Sequence, residues 1–250
     1  MITIAELLVQ CGLQNAFTDK GLSWGAKASA YERNIRDALN KGKTPVLIEL
    51  EDDLPADISC QQLLHVDHHN ERAGADVPSS LQQVYKLLPV AIRPPWSRHY
   101  ALVETNDRGH ADGMRQIGAS KEEIRAIRDA DRKAQGITEA VEAESRRAIE
   151  HSRLEGNLRI VETSAPTASA ITDFLLPEYG ALSGGGDNIL VIMPGSVGFY
   201  GAGKVIENLR DVSGCWYGGG LPQKGFWGAP RTSVPDRNAL ITRIIHSLQD

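Results

Sequence analysis

Apolar residues first recur at helical spacing over residues 1–12, where Ile2, Ile4, Leu7, Leu8 and Cys11 share a face and Gly12 supplies a stop. A polar loop from Thr18 to Gly25 leads to a second helical pattern, Ala26 to Asn40, which turns Tyr31, Ile35, Ala38 and Leu39 inward and ends at Gly42. The period then changes. Thr44 to Leu50 is a compact apolar run with the signature of a buried strand, and it finishes in Glu51, Asp52 and Asp53. Leu63 to Val66 is a shorter run of the same kind and finishes in Asp67, His68 and His69. Ser79 or Ser80 caps a predicted helix striped by Leu81, Val84, Tyr85 and Leu88. The segment from Pro94 to Val103 predicts another helix, ending near the polar loop Asn106–His110. Ser120 and Glu123 form a capping box for a helix running to about Lys133.

Thr138 to Leu154 predicts a helix charged on several faces, the pattern of a solvated connection. Beyond Gly156 come strands at Leu158–Val161 and Asn188–Met193, a short helix over Thr167–Phe174, a glycine-rich stretch from Pro194, and a terminal helix over Pro235–Leu248. This alternation predicts an α/β protein. The first domain, residues 1–135, is expected to hold a mainly parallel sheet flanked by helices. A helical linker over 136–156 and a smaller α/β domain over 157–250 follow.

Composition narrows the class. Charged residues make up 24% of the 250 positions and the formal net charge is -5, which gives no electrostatic footprint for long nucleic acid. Cys11, Cys60 and Cys215 are too scattered for a disulfide framework or a cysteine-rich zinc site, and are expected as small buried hydrophobes in a reducing compartment. No run approaches the roughly 18 apolar residues of a membrane span. A cytoplasmic protein is therefore expected.

The chemistry gathers at the ends of the two strand signals. Three of the seven histidines, His65, His68 and His69, fall within five positions, next to Asp67. A buried strand ahead of them would deliver Asp67, His68 and His69 to its carboxyl end, where open α/β sheets place ligands. Imidazole and carboxylate together suit zinc, manganese or iron, and a metal so held can activate water. Asp107 stands in a third cluster of acid and imidazole. Arg72, Arg108 and Lys20 are candidate groups for neutralising a phosphate. Trp216, Tyr217, Phe226 and Trp227, beside the glycines, either stack on a base or pack the second domain.

The order and spacing of these clusters resemble the DHH phosphoesterase superfamily. HVDHHNERAG followed by VPSSLQQVYKLL is similar to that family's third motif and the helix after it, and the resemblance covers residues 44–110. It implies a DHH-like domain and a two-manganese hydrolytic site, in which Asp53 would bridge metals, His68 and His69 would supply imidazole, and Asp107 would complete the set. The C-terminal region is more weakly similar to the substrate-binding domain that often follows. Gly218-Gly219-Gly220 occupies the place of the family's glycine-rich phosphate loop, with Leu221 where the family has histidine.

The chain lacks the family's opening motif, a histidine followed by two aspartates. Thr18 to Lys27 stands there instead, with one carboxylate and two lysines. Asp53, His68 and Asp107, with His69 or His65 nearby, are still enough for a single ion. The expectation is thus a phosphoesterase with one or two divalent ions, manganese first, acting on a small phosphorylated molecule or nucleotide in a cleft between domains. Asp67, His68, His69 and Lys20 are its candidate catalytic residues, and Arg72, Arg108 and Gly218–Gly220 its candidate phosphate contacts. Two alternatives stand beside it: a non-catalytic nucleotide- or phosphate-binding relative, and an enzyme in which Lys20 or Lys27 replaces part of the metal. Oligomeric state is left open, a homodimer included.

Overall fold

A computed structural model describes residues 1–22, 25–74, 76–180 and 187–249, so Ser23 and Trp24 of the Thr18–Lys27 stretch lie outside the described residues. The protein is mixed α/β, with one parallel two-stranded sheet and one mixed six-stranded sheet. It divides into two compact units. The first is Met1–Arg72 with Val77–Glu104, and the second is Ala73–Asp76 with Thr105–Asp250. The division therefore falls at Glu104/Thr105, and the expected linker over 136–156 belongs wholly to the second unit.

In the first unit, helix α1 (Ile2–Gln10) and helix α2 (Glu32–Asn40) precede strand β1 (Val46–Ile48), and a loop leads to strand β2 (Leu64–Val66). The strands pair in parallel, Leu47 opposite His65. Alternation along β1 sends successive side chains to opposite faces. Leu47 joins Ala28, Ile35, Ile58 and Leu63 on the α2 side, while Ile48 packs with Ile4, Leu7, Val66, Leu81 and Val84 on the other. The second cluster draws on helix α3 (Ser80–Leu87), whose N-cap Ser79 accepts a hydrogen bond from the Gln82 amide, 3.3 Å. Each apolar layer thus holds one face of the sheet and fixes where its strands end.

Helix α4 (Arg98–Gln116) runs through Asn106–Gly109, the segment expected as a loop. Asn, Asp and Gly are poor helix formers, but Leu102, Ala111 and Met114 are buried along it, and packing overrides propensity. The chain breaks helical geometry only at His110, with φ 51° and ψ -145°.

The second unit continues with α5 (Lys121–Ala134), capped by Ser120 and Glu123 as expected, and α6 (Glu139–Glu150). Residues expected as the end of that helix instead form β3 (Arg153–Glu155), hairpinned to β4 (Leu158–Glu162) across Gly156-Asn157. Gly156 has φ +61°, which suits glycine in a two-residue turn. Then come α7 (Ser169–Phe174), β5 (Asn188–Ile192), β6 (Ser196–Ala202), α8 (Gly203–Leu209), β7 (Trp216–Gly218), β8 (Lys224–Pro230) and α9 (Arg237–Gln249). The sheet order is β3-β4-β5-β6-β8-β7, with only β4 and β5 parallel. Phe199, Trp227, Leu158 and Ile206 lie in its main core, and the Trp227 indole donates to the Leu209 carbonyl at 3.0 Å.

Two buried guanidinium groups of α5 meet one carboxylate of α7. Asp173, fully buried on α7, accepts from Arg128 Nε at 2.7 Å and from Arg132 Nη1, and His110 Nε2 lies 3.4 Å away. Burial pushes the Asp173 carboxyl up, but the His110 and Arg128 contacts outweigh it and hold the group below the ordinary aspartate value. The three cysteines depart from expectation: Cys60 is exposed in a short turn after Ser59, and Cys11 and Cys215 are only half-buried.

Candidate metal centre

Parallel pairing brings the carboxyl ends of β1 and β2 side by side, and the polar residues just beyond those ends meet there. Glu49 follows Ile48 directly, with φ 53°, a left-handed conformation uncommon outside glycine. Its amide still donates to the Val66 carbonyl at 2.9 Å. The chain turns away at once, so the Glu49 carboxylate stays beside the end of β2, where Oε1 stands 3.6 Å from Nε2 of the buried His68. Glu49, His68 and His69 each offer a ligand atom, and these atoms lie within 4.8 Å of one another.

Asp67 organises this group without offering itself as a fourth member. Its Oδ1 accepts from the His68 amide at 2.8 Å, from the His69 amide at 3.1 Å, and from His69 Nδ1 at 2.9 Å. A proton on Nδ1 held by a carboxylate leaves the lone pair of His69 on Nε2, the tautomer a metal needs. Gln83 on α3 donates to the Asp67 carbonyl at 2.9 Å and pins the turn from behind. Burial pushes the Asp67 carboxyl up, and the His69 contacts more than reverse that. Glu49 behaves alike: burial raises it, the His68 and His69 imidazoles lower it further, and it lies below the ordinary glutamate value. Two imidazoles with a carboxylate form a donor set that suits zinc, manganese or iron.

Several other candidates belong to the first unit. Asp53, exposed, takes the Ser29 amide at 2.7 Å and the Ser29 hydroxyl at 2.6 Å, so it caps the short helical turn Ala28–Tyr31 and stands outside the Glu49, His68 and His69 group. Asp52 lies 3.7 Å from His65. The Lys20 ammonium donates to the Ala30 carbonyl and sits 5.0 Å over the Tyr31 ring, and Lys27 lies 3.5 Å from Glu51. Arg72 is half exposed with Nη1 3.7 Å from Asp67 Oδ2, at the edge of the centre.

Asp107 and Arg108 are on α4 within the second unit, as are Gly218–Gly220. The glycines make the turn from β7 to β8: the Leu221 amide donates to the Gly219 carbonyl, and the Gln223 and Lys224 amides donate to that of Gly220. Gly219 has φ +93°, and a Cβ there would come within 2.8 Å of Gly225 Cα. Close packing of two strands therefore accounts for this glycine. Tyr217 and Trp227 are buried in the core of the second unit, so of the four aromatics only Trp216 and Phe226 keep partial exposure.

Glu49 is the residue that sequence reasoning missed. The apolar run appeared to continue to Leu50, which assigned the strand-end acids to Glu51–Asp53; the strand in fact ends at Ile48. No family model matches this chain, and no curated protein matches it.

Proposed function

We propose that the protein is a metal-dependent phosphoesterase acting on a small phosphorylated molecule or nucleotide, with Glu49, His68 and His69 holding a divalent ion. The observation that carries this reading is the convergence of those three side chains at the carboxyl ends of two parallel strands, with Asp67 fixing the His69 tautomer. A divalent ion bound there polarises a phosphoryl oxygen and lowers the pKa of a bound water. The chain's own residues do the rest. Asp67 orients the His69 imidazole and holds the His68 backbone amide through one oxygen, and Arg72, 3.7 Å from the other Asp67 oxygen, offers a guanidinium for a phosphate oxygen at the rim.

Manganese is the first ion to test and zinc the second, since the donor set accepts either. Turnover of p-nitrophenyl phosphate esters and short dinucleotides in manganese tests the reading. Activity should disappear in His68→Ala and in Glu49→Gln and should survive in Asp53→Ala. Full activity in His68→Ala would sink it.

A further inference from the structure

Ser80 opens α3 next to the metal centre, and it is fully buried. Two contacts fix that placement. Gln83, further along α3, donates to the Asp67 carbonyl at 2.9 Å. Leu81 packs in one cluster with Ile48, the residue before Glu49, and with Val66, the residue before Asp67. The first turn of α3 therefore lies against the polar ends of β1 and β2. The neighbouring hydroxyl is occupied: Ser79, equally buried, accepts from the Gln82 amide as the N-cap. The Ser80 hydroxyl is buried and makes no hydrogen bond of ordinary geometry among the described residues. As the first residue of its helix, Ser80 has no helical carbonyl one turn back to bond to, and the Pro78 carbonyl takes Gln83 Nε2 at 2.8 Å. An unpaired buried hydroxyl is destabilising and alanine is the better helix former, so stability alone does not select serine here.

We infer that Ser80 is a positioning residue of the metal centre: its hydroxyl donates to the Glu49 carboxylate and holds it toward the imidazoles of His68 and His69. The inference rests on the reading of those three residues as the holders of a divalent ion. Glu49 Oε1 stands 3.6 Å from His68 Nε2, beyond a hydrogen bond, so that contact does not fix the carboxylate. A hydroxyl donor does. The hydroxyl of Ser80 is already among the groups that draw the Glu49 carboxyl below its ordinary value, which places it at the carboxylate. A carboxylate oriented in advance by a hydrogen bond is the better ligand, and this explains why a buried helix start carries serine at a place where its hydroxyl has no other use.

The test compares the full chain with Ser80→Ala and Ser79→Ala by calorimetric titration of manganese and of zinc, and by urea unfolding without metal. Ser80→Ala should bind both ions about tenfold more weakly, the size of effect that the partner of a metal ligand has, while its urea midpoint stays equal to that of the intact chain or rises. Ser79→Ala should do the reverse, with a lower midpoint from the lost cap and an affinity kept within about twofold. If the intact chain binds neither ion, the reading of the metal centre falls and the inference with it. If the intact chain binds and Ser80→Ala binds as tightly, the inference alone falls. It falls alone as well if Ser79→Ala loses as much affinity as Ser80→Ala, or if the midpoint of Ser80→Ala drops as far as that of Ser79→Ala, since either result makes the helix start and not the hydroxyl the cause.

Discussion

Replacing Asp67 with asparagine separates the fold of the metal centre from its affinity. Asn keeps an oxygen where Asp67 Oδ1 accepts three donors at 2.8, 3.1 and 2.9 Å, so the turn retains its shape. What disappears is charge. A hydrogen bond to a charged group contributes about 1.5–3 kcal/mol against about 0.5–1.5 for a neutral one, so the contact to His69 weakens by about 1 kcal/mol. The Arg72 contact, at 3.7 Å and half exposed, adds little. Urea unfolding should therefore show a loss of about 1–2 kcal/mol with an unchanged slope. Metal affinity should fall much further in proportion, by about 10–100-fold, because a neutral partner leaves the His69 ring less basic and less firmly oriented. Calorimetric titration of manganese and zinc into both proteins measures this. Affinity unchanged within about twofold, in a variant that folds, would refute the role assigned to Asp67.

Other consequences are as direct. Asp173→Ala leaves the guanidinium groups of Arg128 and Arg132 buried without their shared carboxylate and should cost about 3–5 kcal/mol in denaturant, a loss under about 1 kcal/mol contradicting the network. Glu144 is held down to about 2 by the Ser164 amide and hydroxyl, below its ordinary 4.5, so its contribution is complete above pH 4.5 and is lost as pH falls toward 2. Glu144→Gln should flatten the fall of stability with acid in that window, and an unaltered acid limb would show that the contact does not persist in solution. Gly203→Ala places a methyl group onto the Pro222 carbonyl and should cost about 1–3 kcal/mol by thermal unfolding, as overpacking does; a neutral change would mean that the β7–β8 turn yields freely.

Much of the fold was legible because its elements are locally consistent. Ser120 with Glu123, Ser79 with Gln82, and the apolar runs before Asp67 and after Thr44 each signal their structure within a few residues. The errors have physical causes. Asn106–Gly109 has loop composition, yet buried neighbours on α4 carry the helix through it. Gly156-Asn157 is a hairpin signal, hidden because charged residues on either side extend the apparent pattern of α6. For the site, Asp67, His68 and His69 were readable from their place after a strand. Glu49 was not, since its role depends on a left-handed backbone at a non-glycine residue and on a strand that stops two residues early. Asp53 bears the chemistry of a ligand but spends it on Ser29, a choice only three dimensions reveal.

The central claim is that Glu49, His68 and His69 bind a divalent ion. Equilibrium dialysis against manganese and zinc, followed by elemental analysis, tests it most directly in the intact chain and in three variants. The account predicts a single bound ion that is lost in Glu49→Ala and in His68→Ala and kept in Asp53→Ala. Absence of metal from the intact chain, or loss in Asp53→Ala with retention in Glu49→Ala, would contradict it.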